Sequence, residues 1–306
     1  MRCVAANNTA QTNAGIRRTH TLYCRPVLEL SKGLSVAAME AIKALEHRTL
    51  AVDGGRLKLE WGTLAHRAIE QTNDLLWWDD TRLLGFLGLY CFDGHNVELV
   101  GMVDPAARRQ GIATKLLDAA LALCLDREYS TVLLVTPRLS EAGRRLALGR
   151  GGVLDHSEYA MLLTDAPTAH PSPLHIGIRS ANVDDGPVVS RLVATAFGYP
   201  PGADNLPLAN DLLQTLVIEM DDIAVGTLRV TREGDAGGIY GFAVEPAMQG
   251  RGIGREVLRR TCRKLFDEGV KQVGLEVATQ NEGALGLYTS IGFRPLTTED
   301  YYSLTT

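Results

Sequence analysis

The chain is short of the residues that would announce several kinds of chemistry. Its 306 residues include only five cysteines. Cys3, Cys24, Cys91, Cys124 and Cys262 are scattered, and no two stand in C-x-x-C spacing. An odd, dispersed set argues against a disulfide framework or a zinc site and points to a reducing, cytoplasmic compartment. Cys91, Cys124 and Cys262 lie in apolar patterns, which suits buried thiols better than nucleophiles. No apolar run reaches the roughly 20 residues that span a bilayer, so no membrane partner is expected. A net charge of −5 supplies no global basic field for nucleic acid. Any anionic ligand must therefore be held by local arginines and backbone N–H groups. His47, His66, His95, His156, His170 and His175 show no ligand spacing, and no metal is expected. Residues 1–28 contain no Asp or Glu, yet include Arg2, Arg17, Arg18 and Arg25. Organelle transit peptides share that bias. The segment has no hydrophobic signal core, and residues 1–24 read as a disordered tail.

What is present is a repeat. The length suits two domains, and sliding the sequence on itself by 141 residues aligns two glycine-bearing stretches without a gap. "VDPAARRQGIAT" (103–114) falls on "VEPAMQGRGIGR" (244–255). The register persists downstream: Leu117 meets Leu258, Val132 meets Val273, Glu141 meets Glu282 and Gly151 meets Gly292. Between the copies, Pro167, Pro171 and Pro173 forbid regular helix and mark an extended linker. The expected domains are residues 25–165 and 176–306, joined by 166–175.

Each copy reads as a mixed α+β sheet interrupted by one central helix. In the second, residues 176–179 form a first strand and 184–197 an amphipathic helix. A hairpin turns at Asp221-Asp222. Residues 237–244 are the next strand, and the glycine stretch opens a helix to about Glu268. Then come a buried strand (272–277), a helix (282–290) and a short last strand from Tyr301. The first copy repeats this, with a last strand at 158–163. Trp77 and Trp78, adjacent on a strand, point to opposite faces.

Glycines before a helix start let a phosphate approach unpaired N–H groups at the positive end of the helix dipole. Gln249, Arg251 and Arg255 add donors. Gly250, Gly252 and Gly254 match neither a Walker loop nor the dinucleotide fingerprint. A plain tight turn would use the same glycines.

The surrounding residues are more specific. V-x-P-x-x-Q-G-x-G-I-G, a helix, and then "LEVATQNEGALGLYTSIGF" (275–293) resemble the GNAT superfamily of acyl-CoA-dependent N-acyltransferases. The resemblance covers all of the second copy and, more weakly, most of the first. The doubled layout is similar to that of tandem GNAT proteins such as mycothiol synthases. It implies two tandem GNAT domains and acetyl-CoA as cofactor, with the pyrophosphate on Gln249, Gly250, Arg251, Gly252, Ile253, Gly254 and Arg255. The strand ending at Phe242, Ala243 and Val244 would bulge, its N–H groups pairing with pantetheine and polarising the thioester. Such a donor is worth about 2.7–4 kcal/mol. Asn281 would bond pantetheine or nearby backbone, and Tyr288 would lie near the sulfur as proton donor. Glu276 would be the base, directly or through water; the L-E-V…Y spacing also occurs in members that acetylate N-terminal alanines. A salt-bridged or solvent-facing strand glutamate and a core aromatic are the plainer readings of Glu276 and Tyr288.

The same offset maps Glu276 to Val135, Asn281 to Ser140, Tyr288 to Ala147 and Phe293 to Gly152. The first copy therefore reads as non-catalytic. Its loop keeps Val103, Arg108, Arg109, Gln110, Gly111, Ile112, Ala113 and Thr114 as a second, tighter cradle that either holds CoA or only braces its neighbour. Glu98 is a weaker alternative base. The expected acceptor is a primary amine of a small molecule or peptide, its pocket shaped by residues 198–210, with Asp204 and Asp211 suiting a cation. A monomeric pseudo-dimer or a homodimer fits equally. The competing reading is a non-catalytic CoA sensor or structural pseudo-dimer.

Overall fold

The computed structural model describes residues 26–92, 94–198 and 213–305. The tail at 1–24 and the acceptor-loop residues Asp204 and Asp211 lie outside them. In the first half the order is β1 (Val27–Ser31), α1 (Val36–Asp53), α2 (Trp61–Ala65), β2 (Asp74–Asp79), β3 (Arg82–Tyr90), β4 (Asn96–Val103), α3 (Ile112–Asp126), β5 (Thr131–Pro137), α4 (Glu141–Gly149) and β6 (Val153–Leu163). The second half has β7 (Ile176–Ser180), α5 (Gly186–Phe197), β8 (Leu213–Met220), β9 (Ile223–Glu233), β10 (Ala236–Val244), α6 (Ile253–Asp267), β11 (Gln272–Ala278), α7 (Glu282–Ile291) and β12 (Arg294–Leu304). The 141-residue offset carries α3 onto α6, β5 onto β11 and β6 onto β12, end to end.

Local sequence explains most boundaries. The Ser35 hydroxyl caps α1 by accepting from Ala38 N, and Gly54 ends it in the left-handed region at φ 69°. Ile253, Val257, Leu258, Cys262 and Leu265 form the buried stripe of α6. The β8–β9 turn has φ 49° at Asp221 and 61° at Asp222, left-handed at both positions as a two-residue hairpin demands. Trp77 packs with the α3 core and Trp78 with the α1 core, on opposite faces as expected.

The strands make one twelve-stranded sheet in the order β1-β2-β3-β4-β5-β12-β6-β11-β10-β9-β8-β7. Its centre departs from the sequence expectation. β12, from the second half, pairs antiparallel with β5 of the first, and β6, from the first half, pairs with β11 of the second. The two exchanged strands pair with each other. Residues 25–165 and 176–306 are therefore contiguous in sequence but each hands its last strand to the other. Both exchanged strands are also longer than expected. Their added residues include Asp155, Ser157, Thr298, Glu299 and Asp300, which break apolar alternation and hide the strand. They are satisfied across the exchange instead: Arg138 bonds Asp300 at 2.7 Å, and the Ser157 hydroxyl donates to the same carboxylate at 2.8 Å.

Helices α3 and α4 pack on one face with a core that includes Tyr302 and Leu304, and α6 and α7 cover the same face of the second half. α1 packs on the other face with Tyr301, and α5 there covers Val217.

Candidate active site

The loop before α6 takes the conformation the glycines allow. Gly250 has φ 74° and Gly252 φ 83°. A β-carbon at Gly250 would meet nothing within 4 Å, so space beside it is open. Gly254 serves packing instead, since a β-carbon there would lie 3.3 Å from Leu287. Gly252 supplies no side-chain cap to α6. Its carbonyl accepts from Glu256 N, which leaves the first-turn N–H groups outside the helical ladder. By contrast α1, α4 and α7 are capped by Ser35, Ser140 and Asn281. α2 and α5 also lack a side-chain cap, but among the described helices only α3 and α6 are led by a glycine in the left-handed region. Gln249 is not a free donor: its amide bonds the Val244 carbonyl at 3.0 Å and latches the loop to the strand end. Arg251 is exposed, and Arg255 is exposed with a bond to the Ser290 hydroxyl at 3.2 Å.

Beside this loop the sheet opens. β10 and β11 pair in parallel only from Ala236–Gln272 to Ile239–Leu275, and beyond that point they part. On its other edge β10 carries a bulge: Tyr240 opposes Arg229 but Ala243 opposes Thr227, so Gly241 and Phe242 fall outside the ladder. Gly241 has φ 54°. The expected bulge is present, with backbone N–H groups released at the gap.

Tyr288 is 9% exposed and sits edge-on to Phe293, centroids 6.0 Å apart. Burial pushes its hydroxyl up to about 12. Of the two partners expected for Asn281, the structure shows backbone. Its side-chain oxygen accepts from Ala284 N at 3.1 Å and caps α7. Ser140 does the same for α4 at 3.2 Å from Gly143 N. The pair therefore shares a capping role, and Ser140 is no sign of a lost function.

Glu276 lies at the gap but in unexpected company. Arg56 and Lys58, from the segment between α1 and α2, both reach it; Lys58 Nζ is 3.1 Å away. Arg56 also holds Glu299 at 2.9 Å, and Lys58 holds Glu98 at 3.0 Å. Lys58 donates to the Tyr301 hydroxyl at 2.9 Å, which donates to Glu158 at 2.6 Å. The His156 ring stacks on Tyr301 at 4.2 Å. Burial by itself raises the Glu276 carboxyl, but the charges of Lys58 and Arg56 more than reverse this and hold it below its ordinary range. A carboxylate so held is a poor proton acceptor. The ion pairs match the plainer reading of Glu276 as a salt-bridged strand residue. Arg56, Lys58 and Glu60 had escaped the sequence reading. The available signal was the alternation in "RLKLE" (56–60), with Leu57 and Leu59 buried and the charged residues between them.

The first half keeps the parted strands and lacks the bulge beside them. β4 and β5 part after Val100–Val135, but β3 and β4 pair from Gly85–Val103 to Tyr90–Glu98 with no bulge. Arg109 adopts φ 64°, the left-handed turn of its counterpart Gly250, so the backbone path is kept rather than tightened. Arg108 is committed elsewhere, forked onto Asp53 at 2.8 and 2.9 Å. A cleft of about 700 Å³ runs past Val103, Arg109, Gly111, Ile112, Thr114 and Ser140. Buried Cys124 and Cys262 have thiols pushed up to about 11 and about 12 by burial, which leaves no thiolate nucleophile there.

A parted parallel strand pair beside a glycine-led helix, built twice, with a bulged strand in the second half, defines the acyltransferase class. Residues 42–149 and 192–293 match the Acetyltransferase (GNAT) family, and the chain belongs to it. It is 31% identical over 221 residues to a mycothiol acetyltransferase of Brachybacterium faecium, covering 63% of this chain and 63% of that protein. The chain thus spans less than two thirds of that relative's length. A mycothiol acetyltransferase of Rhodococcus jostii is 27% identical over 292 residues, 86% of this chain and 93% of that one. Among solved structures, a GCN5-related N-acetyltransferase from Sphaerobacter thermophilus superposes with a TM-score of 0.74 at 21% identity, covering 92% of this chain and 96% of that one. A tandem GNAT protein from the clavulanic acid biosynthesis pathway gives 0.64 at 14% identity, covering 91% and 98%. Both show the shared fold. Among the described residues no helix is long and apolar enough to cross a membrane.

Proposed function

We propose that the chain moves an acetyl group from acetyl-CoA to a primary amine of a small molecule, in the gap between β10 and β11. One observation supports this reading above the rest: Phe242 of the β10 bulge lies against Gly254 in the first turn of uncapped α6, in the same core cluster as Tyr288. Acetyl-CoA supplies an activated thioester carbonyl. The N–H groups of α6 and the left-handed turns at Gly250 and Gly252 suit its diphosphate, with Arg251 and Arg255 adding charge. Backbone N–H groups at Gly241–Ala243 polarise the carbonyl. Tyr288, kept protonated by burial, donates to the departing sulfur. Glu276, kept ionised, draws the acceptor's ammonium to the gap. A small amine is favoured over a peptide because relatives along most of the chain are named for a small molecule. The first half, with no bulge in β4 and Ala147 at the counterpart of Tyr288, is a non-catalytic copy whose cleft takes a second CoA.

The test is CoA release from acetyl-CoA with glucosamine, alanine methyl ester, tobramycin and an alanine-initiated tetrapeptide. Amine-dependent release with at least one small amine supports the reading. CoA binding by calorimetry with no release from any of them would leave the sensor alternative standing.

A further inference from the structure

The carboxylates around the gap are not equivalent. Glu276, Glu299 and Glu98 are each held by Arg56 or Lys58, and Glu158 accepts from Tyr301. Glu60 is the exception. It has no hydrogen-bond or ion-pair partner among the described residues, and its side chain is half-buried, so it is reachable. It follows the buried Lys58 and Leu59 directly, on a left-handed backbone with φ 46° and ψ 65°. Such a conformation is uncommon for a residue with a β-carbon.

Its surroundings place it at the reaction gap. The parallel pairing of β10 and β11 ends at Ile239–Leu275, both in the core beneath α6 and α7. Tyr240 and Glu276 are the next residues, on the opposite face by strand alternation. Arg56 and Lys58, four and two residues before Glu60, both reach Glu276, and the alternation with buried Leu57 and Leu59 sets the three charged residues on one side of the segment; the Glu276 charge in turn acts on Glu60. Tyr288 belongs to the α6–α7 side of the sheet, so the leaving group's donor and Glu60 face the gap from opposite sides.

We propose that Glu60, supplied by the N-terminal half, is the general base that takes the proton from the acceptor's ammonium. This rests on the acetyl-transfer reading above. One proton passes from the ammonium to the Glu60 carboxylate. The freed amine nitrogen forms a bond to the thioester carbonyl carbon, and the carbon–sulfur bond breaks. The sulfur takes the Tyr288 proton, Tyr288 is reprotonated by the second proton that nitrogen loses, and Glu60 returns its proton to solvent. The environment suits the task. Burial first, and then the neighbouring Glu276 and Glu98 charges, push the Glu60 carboxyl up to about 7, with Lys58 and Arg56 opposing. Tyr90 and Tyr240 are further titratable neighbours, and burial raises both hydroxyls above their ordinary range. A base poised near neutral pH is the efficient one.

The experiment is the pH profile of kcat/KM for CoA release with the amine from the panel that turns over, in the full chain and in Glu60→Gln. An acidic limb with an apparent pKa near 7 is expected in the parent. Glu60→Gln should lower kcat by about 100-fold or more, erase that limb, and leave the calorimetric affinity for CoA within about twofold. Glu60→Asp should restore part of the rate with the limb displaced. A purely structural role would leave the limb in place. A second readout needs no acceptor: with 13C-labelled glutamate, the carboxyl resonance lost in Glu60→Asp should titrate near 7. Unchanged kcat and limb in Glu60→Gln, or titration of that resonance near its ordinary 4.5, overturns the proposal while sparing the acetyl-transfer reading. No turnover by the parent on any amine removes both.

Discussion

Tyr288 rests against Phe293 in the second half's core, and burial lifts its hydroxyl to about 12. It is therefore a proton donor across the whole range in which the fold is expected to work. Tyr288→Phe keeps the ring packing and removes only the donor. CoA release should fall by roughly 100-fold, with acetyl-CoA affinity by calorimetry almost unchanged. Glu60 yields a stability prediction whose sign follows from its pKa, raised from 4.5 to about 7. An acid raised on folding imposes no penalty below its unfolded pKa and the full penalty above its folded one. Glu60→Gln should therefore melt with the parent at pH 4.5 and above it at pH 8, by about 2–6 °C. Differential scanning calorimetry at the two pH values reads the difference directly. At this scale the left-handed turns at Gly250 and Gly252 and the buried position of Tyr288 were legible, because φ > 0 turns and a motif aromatic leave a local signature. The company of Glu276 and the part played by Glu60 were not, since a carboxylate's proton affinity depends on which cations fold against it.

The bulge in β10 depends on a residue in the next strand. Gly226 in β9 opposes Val244, and a β-carbon there would lie 2.6 Å from the Ala243 carbonyl oxygen and 3.0 Å from Ile218. Backbone cannot yield as a flexible side chain can. Gly226→Ala should cost about 1–3 kcal/mol in urea unfolding and slow CoA release more than it weakens CoA binding, because the polarising N–H groups move. Elements with strong local codes were legible: α6 from its apolar stripe, the β8–β9 hairpin from Asp221-Asp222, the linker from its prolines. The first halves of β6 and β12 were not. Asp155, Ser157, Glu299 and Asp300 look like loop chemistry until their partners across the exchange are present.

In the whole molecule the exchange ties the second half to a first half whose β4 carries no bulge and whose counterpart of Tyr288 is Ala147. It gives the second half's sheet its β6 edge and supplies Arg56 and Lys58 to Glu276. Burial opposes the charge of Lys58, yet Glu276 and Glu98 hold it protonated well above its ordinary range. Lys58→Met removes the ammonium that those carboxylates share. With Lys58 8% exposed, loss of about 3–5 kcal/mol is expected, measurable by urea unfolding at pH 7.5. Raising acidity toward pH 5 should recover part of it, because the stranded carboxyls then protonate.

Taken alone, the sequence determined the repeat, the 141-residue register, the two glycine-led helix mouths and the family's thioester motif. All of these are written in short windows where backbone conformation and side-chain period follow from neighbours in the chain. The tertiary structure decided which last strand completes which sheet, and which charges surround the gap. Those depend on residues such as Arg56 and Glu276, 220 positions apart, whose meeting no local propensity encodes.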